Sequence, residues 1–303
     1  MCKIVGIGAN VFDTLYSLES FPKEDTKTKA VSSKIAGGGP VATGLVAAQK
    51  LGEKTAYIGV LADDNSGKFL KEDFAKYGVN TDYIEVKKGY RSFQSVLWLA
   101  ADTTSRTCVF DRGNLPPLDL KQNQIEAVKN ADILMVDGNE MAAAVEAAKI
   151  AKENGTKVLY DCGGLYDGVE KLLALTDVMI PSEEFALGHT GAETADQAAK
   201  KLFETYNPEV VVITMGKKGG IIYDGKNVTE YPIYPAVVVD SNGSGDVFHG
   251  AFAAGICKGN DYLKCCHFSS AVSGLKCTGV GARESVPDFE TTKKYLKENG
   301  YEL

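Results

Sequence analysis

Short β-rich runs alternate with longer stretches of helical period along most of the chain. Near-continuous apolar runs stand at 3–9 (KIVGIGA), 55–61 (TAYIGVL), 131–138 (ADILMVDG), 157–161 (KVLYD), 177–181 (DVMIP), 209–214 (EVVVIT) and 220–224 (GIIYD). Between them, residues 41–51, 66–77, 141–153, 194–205, 244–257 and 263–277 are amphipathic or rich in small residues and predict helices. A strand apolar at nearly every position has both of its faces covered. With helices between such strands, the pattern predicts an α/β fold: a mostly parallel sheet flanked by helices, joined by right-handed crossovers.

Two stretches break that rhythm. Residues 12–36 are polar and alternate weakly, and residues 88–112, around SFQSVLWLAADTTSRTCVFD, read as a hairpin turning near 102–105. Neither carries a helical period, so both are expected to be strands of a small second sheet. The main domain then takes 1–11, 37–87 and 113–303, and a lid takes 12–36 and 88–112. So small a sheet, carrying apolar Phe93, Val96, Trp98 and Val109, cannot bury both faces alone. It is expected to cover a cleft or to pair with a second copy.

Charge narrows the partners. A net charge of −7 argues against nucleic acid, whose binding needs a basic face to displace counterions. No apolar run reaches membrane-spanning length, and MCKIVGIGANVFD reaches Asp13 too soon to resemble a cleaved signal. Seven cysteines at irregular spacing suggest neither a disulfide framework nor a zinc site. The expectation is buried, reduced thiols and a cytoplasmic protein without a membrane partner.

The chemistry concentrates in VVVDSNGSGDVFHGAFAAG, 237–255. A strand-like run ends on Asp240, and Asn242, Gly243, Ser244, Gly245 and Asp246 lead straight into a small-residue helix. The first N–H groups of a helix have no internal acceptors, and the helix dipole adds positive partial charge there. Two glycines let a ligand approach the backbone closely. The result is an anion hole suited to a transferring phosphoryl group, with Asp246 in the first turn to take a proton from an attacking hydroxyl. A plain strand–helix turn capped by an aspartate has the same local wording. A Walker A loop is excluded, because no Gly-Lys-Ser/Thr follows, and no G-x-G-x-x-G follows the first strand.

DSNGSGDVFHGAF resembles the second signature of the ribokinase-like (PfkB) carbohydrate kinases, Asp-Thr-x-Gly-Ala-Gly-Asp. GGGPVATGLVAAQKLG (37–52) looks like their first, a Gly-Gly turn opening a helix. GVLADDNSGKFLKEDFAKYGV (59–79) and VVITMGKKGG (211–220) resemble the next segment and the strand and loop that receive ATP, so the likeness covers essentially the whole chain. FPKED (21–25) and SRT (105–107) are closest in wording to ketohexokinases and neighbouring keto-sugar kinases.

The resemblance implies a ribokinase-like three-layer α/β fold whose β lid closes over a sugar and forms a homodimer. It implies ATP- and Mg²⁺-dependent phosphorylation of a primary hydroxyl of a small sugar, a keto-hexose or pentose. By position Asp246 matches the base, and Gly243, Ser244 and Gly245 the anion hole. Asp13, Gly38, Gly39 and Thr43 match the sugar site. Ser182, Thr214, Gly216, Lys217 and Gly219 match the nucleotide site. Asp240 and Asn242, with carbonyls near 277–281, match a monovalent-cation site that takes K⁺. Asp137, at the C-terminal end of an apolar strand, is placed where open α/β sheets bind ligands. Arg106 reads either as a lid cation that reaches phosphate on closure or as an exposed strand residue.

Three departures qualify the match. Thr43 stands where the first signature usually has Asn, which changes the hydroxyls that can be read there. The metal-organising Asn-x-x-Glu appears as Ser182-Glu183-Glu184-Phe185, leaving Glu183 or Glu184 for a water-mediated Mg²⁺ contact. DCGG (161–164) lacks the arginine of acid-sugar kinases, which disfavours a carboxylated substrate. A nucleoside kinase, stacking its base on Phe93, Trp98 or Phe110, stays open, as does a catalytically silent sugar-binding regulator.

Overall fold

The computed structural model describes residues 3–103 and 105–303. In chain order the strands are β1 (Lys3–Ile7), β2 (Val11–Leu18), β3 (Ser32–Gly38), β4 (Lys54–Tyr57), β5 (Gly59–Ala62), β6 (Ile84–Lys87) and β7 (Gln94–Ala100). They continue as β8 (Ser105–Asp111), β9 (Ile133–Val136), β10 (Lys157–Cys162), β11 (Val178–Pro181), β12 (Val210–Thr214), β13 (Gly220–Tyr223) and β14 (Val228–Tyr231). The helices are α1 (Pro40–Lys50), α2 (Asn65–Tyr77), α3 (Gln122–Lys129), α4 (Met141–Asn154) and α5 (Val169–Leu173). After these come α6 (Glu183–Thr190), α7 (Ala195–Tyr206), α8 (Ser244–Cys257), α9 (Tyr262–Lys276) and α10 (Phe289–Glu298).

The main sheet runs β14-β13-β12-β11-β10-β9-β1-β4. It is parallel from β4 to β12, and β13 and β14 turn back antiparallel at one edge. Apart from the edge strand β14, its strands are mostly buried on both faces, as their apolar runs require. In β12, Val210 and Val212 join the core packed by α1, α8 and α9, while Val211 and Ile213 join the core packed by α4 and α7. The predicted α/β architecture is the one observed.

The two stretches without helical period form a separate sheet, β3-β2-β7-β8. β7 and β8 make the expected hairpin, with Ala100 opposite Ser105; within its turn, Thr104 lies outside the described residues. Leu15, Ala36 and Leu97 form a small core of their own on one face. β8 is exposed along its whole length.

Three expectations fail. TAYIGVL is not one strand: β4 ends at Tyr57, Ile58 donates its N–H to the Gly6 carbonyl, and β5 pairs with β6 in a third sheet. The run into Asp240 is not a strand either. Val237, Val238 and Val239 are 83%, 61% and 59% exposed, and this segment hangs on the Cys277 carbonyl through Val239 N–H and Asp240 N–H. β-propensity needs a partner strand to be realised, and among the described residues none pairs with it. Cys257 is disulfide-bonded, so the expectation of reduced thiols throughout is wrong there; an irregular count cannot say which thiols a fold brings together. Cys108, Cys162, Cys265, Cys266 and Cys277 are free.

Candidate active site

Two helices begin at one place. α1 and α8 cross in their first halves, where a Cβ on Gly250 would lie 2.0 Å from the Gly44 carbonyl oxygen. Only glycine at 250 allows that approach, and it brings the two N-termini together. Pro40, at the start of α1, lines the same cavity as Gly243, Ser244, Gly245 and Asp246 at the start of α8. Gly243 caps α8 at φ 71°, a left-handed conformation that glycine takes without steric cost. Above Gly245 the space is open: a Cβ there would meet nothing within 4 Å.

That cavity, about 280 Å³, is also lined by Arg106, Asp137, Asp161, Ser182, Thr214 and His249. Arg106 reaches from β8 to donate to Asn242 Oδ1 at 2.9 Å, so the second sheet touches the turn directly. Burial pushes the Asp246 carboxyl up, and the neighbouring His249 and Arg106 oppose that shift. Asp161 is likewise pushed up by burial and held back by His249. The His249 ring is fixed at both nitrogens: Nδ1 faces the Gly245 carbonyl at 2.6 Å and Asp161 Oδ2 at 3.2 Å, and Nε2 the Ile180 carbonyl at 3.0 Å.

A second cavity of about 290 Å³, lined by Gly8, Asn10, Tyr57, Phe93, Arg112 and Glu140, lies next to the first, since Gly8 packs directly on Asp137. Asp137 is 2% exposed and its oxygens are already taken. Oδ2 accepts from Ala9 N–H and Val41 N–H, and Oδ1 from the backbone and side chain of Asn139. It pins the end of β1 to the start of α1.

Asp13 abuts Gly38, where any Cβ would fall 1.9 Å from its Oδ2. Ser95 donates to Oδ1 at 2.6 Å. Burial pushes the Asp13 carboxyl up to about 6, with the Ser95 bond and Arg283 lowering it and Asp246 raising it. Thr43 is fully buried, and its Oγ1 has no partner; Asn10 Nδ2 is in the same state. Such orphaned polar atoms are costly unless a ligand satisfies them.

Of the residues the motif reading gave to the nucleotide, Ser182 and Thr214 are on the wall of the first cavity, whereas Gly216, Lys217 and Gly219 are not among its lining residues. Ser182 accepts from Phe185 N–H as the N-cap of α6, and Thr214 bridges to it from the end of β12. Gly216 and Lys217 are exposed in a single 3₁₀ turn, closed by Gly219. Glu183 faces Lys218 at 3.3 Å. Sequence reasoning missed Asn10, Ser95, Asp161, His249, Lys276 and Arg283. His249 alone left a signal: four residues after Gly245 in α8, it lies on the same helical face.

The monovalent-cation reading of Asp240 and Asn242 is corrected by the structure. Their main-chain carbonyls both accept from Lys276 Nζ, 2.8 Å from that of Asp240. Lys276 is completely buried. Asp240 turns its carboxylate to Asn242 N–H and Gly281 N–H. An ammonium group already holds the oxygens a K⁺ would need, so these residues do not fit that ion.

Residues 1–288 match the pfkB family carbohydrate kinases. Ribokinase of Haemophilus influenzae is 27% identical over 297 residues, 96% of this chain and 97% of that protein. 5-Dehydro-2-deoxygluconokinase of Clostridium perfringens is 29% identical over 290 residues, 88% of this chain and 85% of that one. Among solved structures, Arabidopsis thaliana ribokinase complexed with ribose and ATP superposes with a TM-score of 0.86 at 27% identity, covering 98% of both chains. A Methanocaldococcus jannaschii nucleoside kinase shares the fold, with a TM-score of 0.80 at 18% identity over 98% of this chain and 99% of that one. The ketohexokinase wording of the lid has no counterpart among these names. The match over nearly the whole length, on a site built as described, means that the chain belongs to the pfkB family of carbohydrate kinases, ATP-dependent enzymes of ribokinase fold.

Proposed function

We propose that this enzyme transfers the γ-phosphoryl group of ATP to a primary hydroxyl of a small sugar, a pentose or keto-hexose. One observation carries the reading: the open 243–245 turn, Asp246 and lid-borne Arg106 line a single cavity. In it Asp246 is the base that frees the acceptor oxygen, and the N–H groups of Gly243, Ser244 and Gly245 hold the transferring group. Arg106 adds a fixed positive charge from the lid. Asp13, the Gly38–Gly39 turn and the orphaned groups of Thr43 and Asn10 orient the sugar. Asp137 supports this turn from below rather than touching sugar. Ser182, Thr214 and the 216–219 turn receive the nucleotide.

Mg²⁺ suits the donor set, because it binds through one or two carboxylates together with substrate phosphates rather than an all-protein cage. Asp161, a carboxylate on the cavity wall, would hold it, and it would offset phosphate charge. A homodimer through the exposed lid strand β8, where Val109 and Phe110 are 55% and 58% exposed, belongs to the same proposal. A nucleoside acceptor is the second reading, favoured by Phe93 on the wall of the adjoining cavity.

Coupled ADP release across a panel of pentoses, keto-hexoses, deoxy-keto-gluconates and nucleosides tests the acceptor. Asp246→Asn should lower kcat by about 10²–10⁴-fold, the scale for loss of a general base, while sugar binding measured by calorimetry survives. Unchanged turnover would refute the assignment.

A further inference from the structure

Lys276 is the last residue of α9 and is among the largest fully buried side chains of the protein. A buried lysine is costly unless its charge is paired and its donors used. Here the ammonium donates to the carbonyls of Asp240 and Asn242, the two residues that lead into Gly243 and the start of α8. The C-terminal end of α9 adds favourable dipole. Burial pushes the amine down, and Asp240 and Asp246 nearby hold it up. Neighbouring bonds make the loop a rigid frame: Val239 N–H and Asp240 N–H on the Cys277 carbonyl, Gly281 N–H on Asp240, and Ser273 Oγ on the Ser244 carbonyl.

We infer that the Lys276 ammonium is a tethered substitute for a monovalent cation beneath the anion hole, so that this enzyme needs no K⁺ or Na⁺. Two carbonyl dipoles converge on a cation site; a covalently attached positive charge fills it permanently. The charge holds the loop in place and adds to the field on the 243–245 amides. The inference concerns the site assigned above to phosphoryl transfer and rests on that reading for its catalytic part only.

The test compares wild type, Lys276→Ala and Lys276→Met in chloride salts of K⁺, NH₄⁺ and tetramethylammonium at constant ionic strength, reading Tm and ADP release. Wild type should show the same Tm and rate in all three. Lys276→Ala in tetramethylammonium should lose about 10²-fold in rate, the scale for removing one element of an anion hole, and should melt lower. K⁺ or NH₄⁺ should restore part of both, because the alanine leaves room for an ion beside the freed carbonyls. Lys276→Met fills that room and should not respond.

Wild type that gains rate and Tm on adding K⁺ would overturn the proposal, since the ion would then have its own place. So would a folded Lys276→Ala whose Tm and rate ignore both small cations. If neither variant folds, the wild-type comparison decides alone. If no acceptor supports turnover, the function above fails, while the melting comparison still judges the cation substitute.

Discussion

Arg283 offers the sharpest test of how the proposed sugar side of the site is held. It is 1% exposed, and its guanidinium stands 2.5 Å from Asp73 Oδ2, 2.7 Å from the Gly38 carbonyl and 3.1 Å from Asn10 Oδ1. One side chain thus ties α2, the turn before α1 and the link after β1. Its group also lies over the Phe74 ring, 5.1 Å from the centroid. Arg283→Met keeps apolar bulk there and deletes every donor. Asp73, 9% exposed, is left as a buried charge without its partner. Breaking one side of such a pair costs about 3–5 kcal/mol, and the undonated Gly38 carbonyl adds about 1 kcal/mol. Against a total stability on the order of 5–15 kcal/mol, that is about a quarter or more.

Urea unfolding of wild type, Arg283→Met and the double variant Arg283→Met/Asp73→Leu measures it, through the shift in midpoint at constant slope. The double variant should recover about half the loss, because replacing both partners by apolar groups is often neutral. KM for the sugar should rise in the single variant as the Gly38 turn and Asn10 loosen, with kcat less affected. A single-variant loss below about 1 kcal/mol, or a double variant as unstable as the single, would refute the reasoning.

Two further outcomes follow from the same geometry. Asp13, pushed up to about 6 by burial, has the proposed role of accepting sugar hydroxyls as a carboxylate, and protonation turns one of its acceptor oxygens into a donor. Since kcat/KM reports the free enzyme, it should drop about tenfold per pH unit below that value and level off above it; a flat profile down to about pH 5 sinks the role given to Asp13. Gly250→Ala places a methyl 2.0 Å from the Gly44 carbonyl oxygen, so α1 and α8 must part. The expected loss is about 1–3 kcal/mol, with lower turnover as the anion hole moves; a wild-type Tm would show that the helices have room to spare.

Strand and helix identities were legible wherever burial is the same on every neighbour. β12 reads as a strand because both of its faces meet helices, so its apolar run is a local property that any parallel sheet would demand. α8 reads as a helix with an exposed N-terminus because the glycines and Asp246 of that turn act within a few residues. The second sheet was legible as an absence of helical period in two separate stretches. The 55–61 run was not, because where a strand leaves one sheet for another depends on Gly6 and β6, which lie far away in sequence. The valines before Asp240 misled for the same reason: propensity speaks for a residue, and pairing requires a neighbour.

The charges around the site were decided by the fold alone. Nothing in GLKC marks Lys276 as the partner of two carbonyls in another segment, and nothing in GARES marks Arg283 as the buried anchor of the Gly38 turn. Motif wording points to the amides and the carboxylate proposed as the base, because the proposed roles act through local backbone geometry. What supports them is long-range electrostatics in a dry interior. There a single lysine or arginine finds its acceptors only after the chain has folded around it.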